Sequence, residues 1–221
     1  SIEAALPGLV AALRPDGWDA AARAIMTTDT APKLATATVS IGGVEATLAG
    51  IAKGSGMIAP NMATMIAVVA TDAAVTPGAL SAMLSSAVET TFNAVTVVGD
   101  TSTNDTLIAL AGGRAGNTPI SDPASPDGVA FFMALHEVLL SLAKMVARDG
   151  EGATKFIELR VTGAPDVRTA RAVALTVANS PLVKTAFFGE DANWGRIVAA
   201  AGRAGVALDP SLVSLHFDDV C

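Results

Sequence analysis

Two short segments that alternate between apolar and polar or small residues, 35–41 and 44–51, meet at Gly42-Gly43. Period-two alternation marks half-buried strands, and a two-glycine connection suits the turns that join antiparallel neighbours. The pair is read as a β-hairpin. No other feature constrains the fold as much, because a hairpin does not belong in a sheet built only from βαβ units. Helical patterns surround it. Leu80, Met83, Leu84 and Ala87 share one face after Thr76-Pro77-Gly78. A long helix is expected over 129–148, with Gly150 as its C-cap. Shorter helices are expected after Asp16-Gly17-Trp18 and over 167–178, the latter capped by Asp166. Further strands are expected over 65–70, 95–98, 156–161, 182–188 and 212–217, with an apolar element over 107–110. Residues 117–128 and 189–196 read as loops, the second around a buried Trp194. Strands and helices come in mixed order, so the fold class is α+β in layers. Neither a repeat nor a linker divides the 221 residues, and one domain is expected over 1–221.

Composition narrows the function classes. The net charge is −7, and no dense Lys/Arg cluster occurs, which argues against nucleic-acid or anionic-membrane partners. Tyrosine is absent and aromatics are scarce, so a base-stacking platform is not expected. The one cysteine, Cys221, leaves no disulfide within the chain and suits a reducing compartment. Two histidines, His136 and His216, are too few for most metal sites. Both read as structural: His136 within a helix, His216 in a strand beside Phe217. The longest apolar stretch, 129–146, carries His136, Glu137 and Lys144, so no membrane span is expected. No signal-peptide pattern is present, and the localisation expected is cytoplasmic. The ends read as cut: the chain starts with Ser1 and stops at Val220-Cys221, directly after the last strand-like run.

Familiar sites are missing. Gly54-x-Gly56 does not extend into a dinucleotide fingerprint, and residues 150–155 lack the glycine spacing of a phosphate loop. Without a usable histidine, a hydroxyl nucleophile needs another base. An amino-terminal threonine supplies its own, because its α-amine has a reference pKa of about 7.7–8.0. Such a residue is made by cutting the chain before it. The Ala63-Thr64 bond suits this: glycines and Pro60 shape its approach, Ala63 is small, and an apolar strand follows. Spacing alone equally allows Thr64 to be an ordinary β-branched residue at a strand start.

Five stretches then point the same way. They are Met26-Thr27-Thr28-Asp29-Thr30, Lys53-Gly54-Ser55-Gly56-Met57 running on to Pro60-Asn61-Met62-Ala63-Thr64-Met65, Asp100-Thr101-Ser102-Thr103-Asn104-Asp105-Thr106, Asp149-Gly150-Glu151-Gly152-Ala153-Thr154-Lys155, and residues 179–196. In this order they resemble ornithine acetyltransferase, the bifunctional glutamate N-acetyltransferase of arginine biosynthesis, across almost the whole chain.

The resemblance implies a layered α/β sandwich with mixed sheets and helices outside. It implies autocatalytic cleavage between Ala63 and Thr64, dividing the chain into 1–63 and 64–221. Thr64 then becomes the catalytic nucleophile, taking acetyl from N-acetylornithine and passing it to glutamate. Substrate contacts map to Thr30, Lys53, Thr64 and Glu151. No cofactor is implied, although some members accept acetyl-CoA as a co-substrate, and the implied assembly is an α2β2 heterotetramer. Lys53 suits the α-carboxylate common to both amino acids, and Glu151 the second ammonium of ornithine. Residues 100–106, with Asn193 and Arg196, either line the site or satisfy backbone groups in tight loops. The family's Thr-Gly oxyanion pair has no counterpart before Met26, and its C-terminal substrate contacts have none here. Two other readings remain: a self-processing aminopeptidase or amidohydrolase that passes its acyl group to water, and an inactive truncated fold.

Overall fold

The computed structural model describes residues 2–56, 65–97, 99, 105–218 and 220. Helix α1 (Ile2–Ala11) and α2 (Trp18–Ala24) precede the hairpin, β1 (Lys33–Ile41) and β2 (Val44–Lys53). Gly42 and Gly43 both take positive φ, 55° and 82°, so the two glycines supply the turn that a side chain would strain. After β3 (Ile66–Thr71) come α3 (Pro77–Glu89) and β4 (Thr106–Ala111). The long α4 (Pro126–Arg148) follows, then α5 (Val167–Ala178), α6 (Pro181–Phe188) and α7 (Trp194–Ala201).

One four-stranded sheet runs in the order β1-β2-β3-β4. The first two pairings are antiparallel, with Ile41 opposite Val44 and Lys53 opposite Ile66. The last is parallel, with Ile66 beside Thr106. Helix and mixed sheet form the expected α+β layers.

The core lies between the sheet and α4. Leu135, Val138, Leu139, Leu142 and Val146 recur three or four residues apart and are almost fully buried. They meet Leu48 and Val69 from the sheet and Met83 from α3. Each such side chain contributes about 1.5–3 kcal/mol relative to exposure. Gly50 lets β2 approach α4, since a Cβ there would lie 2.9 Å from Leu142 and 3.0 Å from Val138. By length and composition α4 would suffice to cross a membrane, but its apolar face is the one that covers the sheet. A smaller cluster, Val177, Val183, Ala200 and Ala201, joins α5, α6 and α7.

Several local expectations are corrected. Residues 182–188 are helix α6, not strand, because Pro181 occupies its first turn, where a missing N–H costs nothing. Residues 156–161 alternate but pair with no strand among the described residues, and 95–97 form none after a short 3-10 turn at Phe92–Ala94. The end of the chain is likewise no strand: a 3-10 turn, Pro210–Leu212, is followed by one isolated bridge between Phe217 and Val220. His216 is exposed there. Asp149, not Gly150, caps α4, and the left-handed glycine is Gly152, with φ 71°. Trp194 is 68% exposed at the start of α7, not buried in a loop.

Candidate functional site

Three of the quoted motifs converge. The loop before β1 carries Asp29 and Thr30, β2 ends at Lys53 and runs into Gly54-Ser55-Gly56, and Asp149 and Glu151 follow the end of α4. A lysine that sequence reading passed over ties them. Lys33, the first residue of β1, is 1% exposed. Its ammonium donates to Asp29 Oδ1 at 2.6 Å, to Asp149 Oδ2 at 2.5 Å and to the Ala31 carbonyl at 3.3 Å. Asp29 also accepts the N–H groups of Gly54 at 2.6 Å and Thr27 at 3.1 Å. Asp149 accepts the Thr30 N–H at 3.0 Å and the Thr30 hydroxyl. A buried cation between two carboxylates persists only when its remaining bonds are satisfied, and here they are.

A second set of bonds closes the cluster. The hydroxyls of Thr28 and Ser55 lie 2.6 Å apart, and Glu151 N–H donates to the Ser55 carbonyl at 2.6 Å. The Glu151 carboxylate lies over Gly56, where a Cβ would sit 2.8 Å from it. Thr30 and Glu151 are exposed, whereas Lys53 is only 8% exposed. The structure thus brings Thr30, Glu151 and the segment following Lys53 together. Ala63 and Thr64 lie outside the described residues, as do Asp100 to Asn104.

Met65, the first described residue after Thr64, is held on both sides. Its N–H donates to Asp105 Oδ1 at 2.6 Å, and its carbonyl accepts from Thr106 N–H at 3.0 Å. Asp105 Oδ2 is buried without a hydrogen-bond partner among the described residues. Burial pushes the Asp105 carboxyl up, against the Met65 N–H and the nearby Lys53 charge.

Burial acts the same way on Asp29 and Asp149 but loses. For Asp29 it is outweighed by the Gly54 N–H, the Lys33 ammonium and the Thr27 N–H. For Asp149 it is outweighed by Lys33 and both Thr30 groups. Both carboxyls therefore stay below the ordinary carboxylate range. A depressed folded pKa gives stability that is present above the unfolded value, about 3.9, and lost as pH falls through the folded one. Thermal melts of the purified protein should show this contribution undiminished from pH 7 to pH 5 and failing below about pH 4. A melting temperature that does not fall below pH 4 would contradict the ion network.

Four residues of the last motif have structural partners. Asn179 and Lys184 dock the small cluster onto the segment after α3, bonding Thr96 Oγ1 and the Val97 carbonyl, each at 2.6 Å. Asn193 caps α7 by accepting Arg196 N–H at 3.1 Å, and Arg196 binds the Leu182 carbonyl at 3.0 Å. His136 bonds Thr90 Oγ1 at 2.9 Å. It lines a groove of about 430 Å³ beside α4 with Thr38, Met133 and Glu137, to which none of the five motifs contributes.

Comparison with known proteins covers the whole chain. Residues 1–221 match the ArgJ family. A protein of Geobacter sulfurreducens named arginine biosynthesis bifunctional protein ArgJ is 56% identical over 99% of this chain and 56% of its own length. Its namesake from Bradyrhizobium diazoefficiens is 55% identical over 93% of this chain and 51% of its own length. The chain thus spans about half the length of these curated relatives. A crystal structure of the Bacillus halodurans protein of the same name superposes with a TM-score of 0.61 at 48% identity. That match covers 62% of this chain and 64% of the other.

Proposed function

The chain belongs to the ArgJ family, and on that premise we propose that the full-length protein works in arginine biosynthesis as an acetyltransferase. It moves acetyl from N-acetylornithine to glutamate in the cytoplasm, with no cofactor beyond acetyl-CoA as an additional co-substrate, and assembles as an α2β2 heterotetramer. The observation that supports this reading is the meeting of Thr30 and the Lys53–Gly54 junction on the Lys33 network, with Glu151 bonded to Ser55 beside it. Thr30, Lys53 and Glu151 are three of the four residues that motif resemblance selects, and they come from three distant segments.

The chemistry begins with hydrolysis of the Ala63-Thr64 peptide, in which a water completes the carboxylate of Ala63 and the Thr64 α-amine is freed. That amine takes the hydroxyl proton as Oγ attacks the acetyl carbonyl. The amide C–N bond breaks, ornithine departs with the proton, and acetyl-threonine remains. The glutamate amine then attacks the ester and restores the hydroxyl. Splitting one amide exchange into two steps replaces a difficult displacement with two easier ones. Lys53 supplies the positive charge for the α-carboxylate that donor and acceptor share.

Two measurements on the full-length protein test this. Intact mass should show two chains, the second beginning Thr-Met-Ile-Ala-Val. With N-acetylornithine and glutamate, acetylglutamate should form much faster than free acetate. Acetate matching or exceeding acetylglutamate would instead make the protein a hydrolase.

A further inference from the structure

We infer that Asp105 is a positioning residue for the nucleophile. One carboxylate oxygen holds the Thr64–Met65 peptide, and the other steadies the Thr64 α-ammonium that forms during acetyl transfer. The inference deepens the proposed function and rests on Thr64 being the nucleophile. Asp105 Oδ1 accepts the Met65 N–H at 2.6 Å, and the N–H of the next residue, Thr106, donates to the Met65 carbonyl at 3.0 Å. Met65 is thereby fixed on both sides just before β3 and β4 begin their parallel pairing, with Ile66 beside Thr106.

That junction uses only one oxygen. Asp105 Oδ2 is buried and has no hydrogen-bond partner among the described residues. A buried acceptor left unpaired costs stability, so its persistence calls for a functional reason. Burial works against the ionised carboxyl, while the Met65 N–H and the charge of Lys53 favour it. Lys53 nonetheless leaves Oδ2 without a bond.

Covalent geometry says what lies within reach. The α-nitrogen of residue 64 is three bonds from Met65 N, a span of at most about 4 Å. A carboxylate bonded to Met65 N–H is therefore close to that nitrogen, and successive backbone nitrogens commonly share one anion. Hydrolysis before residue 64 turns an amide nitrogen into an amine. When Thr64 Oγ attacks the acetyl carbonyl, its proton moves to this amine and makes an ammonium. Asp105 takes no proton; its charge stabilises the ammonium until that proton leaves with ornithine. Hydroxyl, base and carboxylate then stand in series, the third orienting the second.

The order of events supplies the test. No α-amine exists in the uncut chain, so losing the Asp105 charge should spare the cut and damage transfer. In the full-length protein, Asp105→Asn keeps an oxygen for Met65 N–H and should yield the same two chains by intact mass. Its kcat for acetylglutamate formation should fall about 10²-fold, with KM within about threefold of wild type. The acid limb of its kcat/KM profile should move down by about one pH unit, because an amine without a neighbouring carboxylate loses its proton more readily. Lys53, the other charge bearing on this junction, stays in the variant, so the displacement reports Asp105. Asp105→Ser, which can also accept from Met65 N–H, should behave alike and serves where the asparagine variant is not recovered folded.

A kcat within about threefold of wild type overturns the inference. So does a loss confined to KM, which would make Asp105 a substrate contact, or an unmoved acid limb. Failure of both folded variants to cut also overturns it, since Asp105 would then act before the amine exists. Wild type that stays uncut removes the Thr64 reading and this inference with it. Wild type that cuts and transfers, beside an unimpaired Asp105→Asn, removes the inference alone.

Discussion

In the full-length protein, Thr64→Ala is expected to leave one uncut chain and to lower acetyl transfer by about 10³-fold or more. Alanine has no oxygen to attack the acetyl carbonyl or to carry the ester. Without a cut before residue 64, no α-amine is released to act as base. Losses of this size follow removal of a nucleophile that works as a unit with its base, because what survives is only binding and polarisation. Thr64→Ser keeps the hydroxyl and should still give two chains. Intact mass reads the cut, and a discontinuous assay for acetylglutamate reads the transfer. An alanine variant that still splits before residue 64, or keeps transfer within tenfold of wild type, would remove Thr64 from the mechanism.

The largest expected effect on stability belongs to Lys33→Met. Lys33, Asp29 and Asp149 have side chains 2%, 0% and 8% exposed. Methionine fills much of the same volume but abandons two carboxylates in a site that water scarcely reaches. Removing one partner of a buried ion pair costs about 3–5 kcal/mol, most of it the expense of stranding the opposite charge. The acid response should also differ. With no ammonium to hold them ionised, the two carboxyls become easier to protonate in the folded state, so acidification from pH 7 to pH 5 relieves the variant while the wild-type contribution stays undiminished. Urea melts at pH 7 and pH 5 measure both effects. Neutralising all three, with Lys33→Met, Asp29→Asn and Asp149→Asn together, should recover part of the loss. A Lys33→Met variant within about 1 kcal/mol of wild type at pH 7 would show that the network carries no weight.

Much of the layout was readable from local pattern. Gly42-Gly43 marks the hairpin because a turn with two positive φ values favours residues without a Cβ. Helix α4 is long enough for its 3.6-residue period to dominate, and Asp166 announces α5 by accepting Thr169 N–H at 2.7 Å. Residues 182–188 misled because a seven-residue run rich in apolar side chains suits a strand or a buried helix equally, and Pro181 decided the matter. Residues 156–161 alternate like a strand, but alternation does not supply a partner. The site divides the same way. Thr30, Lys53 and Glu151 stand in motifs and can be named from them. Lys33 cannot, since its burial depends on Asp149, 116 positions away, and one sequence carries no sign of that pairing.

The sheet order has a further consequence for any cut between residues 63 and 64. Strands β1 and β2 fall on one side of that bond, β3, β4 and α4 on the other, yet β2 and β3 pair over six residues. Helix α4 covers β1 and β2, so each product would supply half of a shared interior. Severing the backbone there would resemble removing a staple from pages already bound: the halves would travel together through purification and separate only under denaturing conditions. Neither would have a complete apolar face to bury alone.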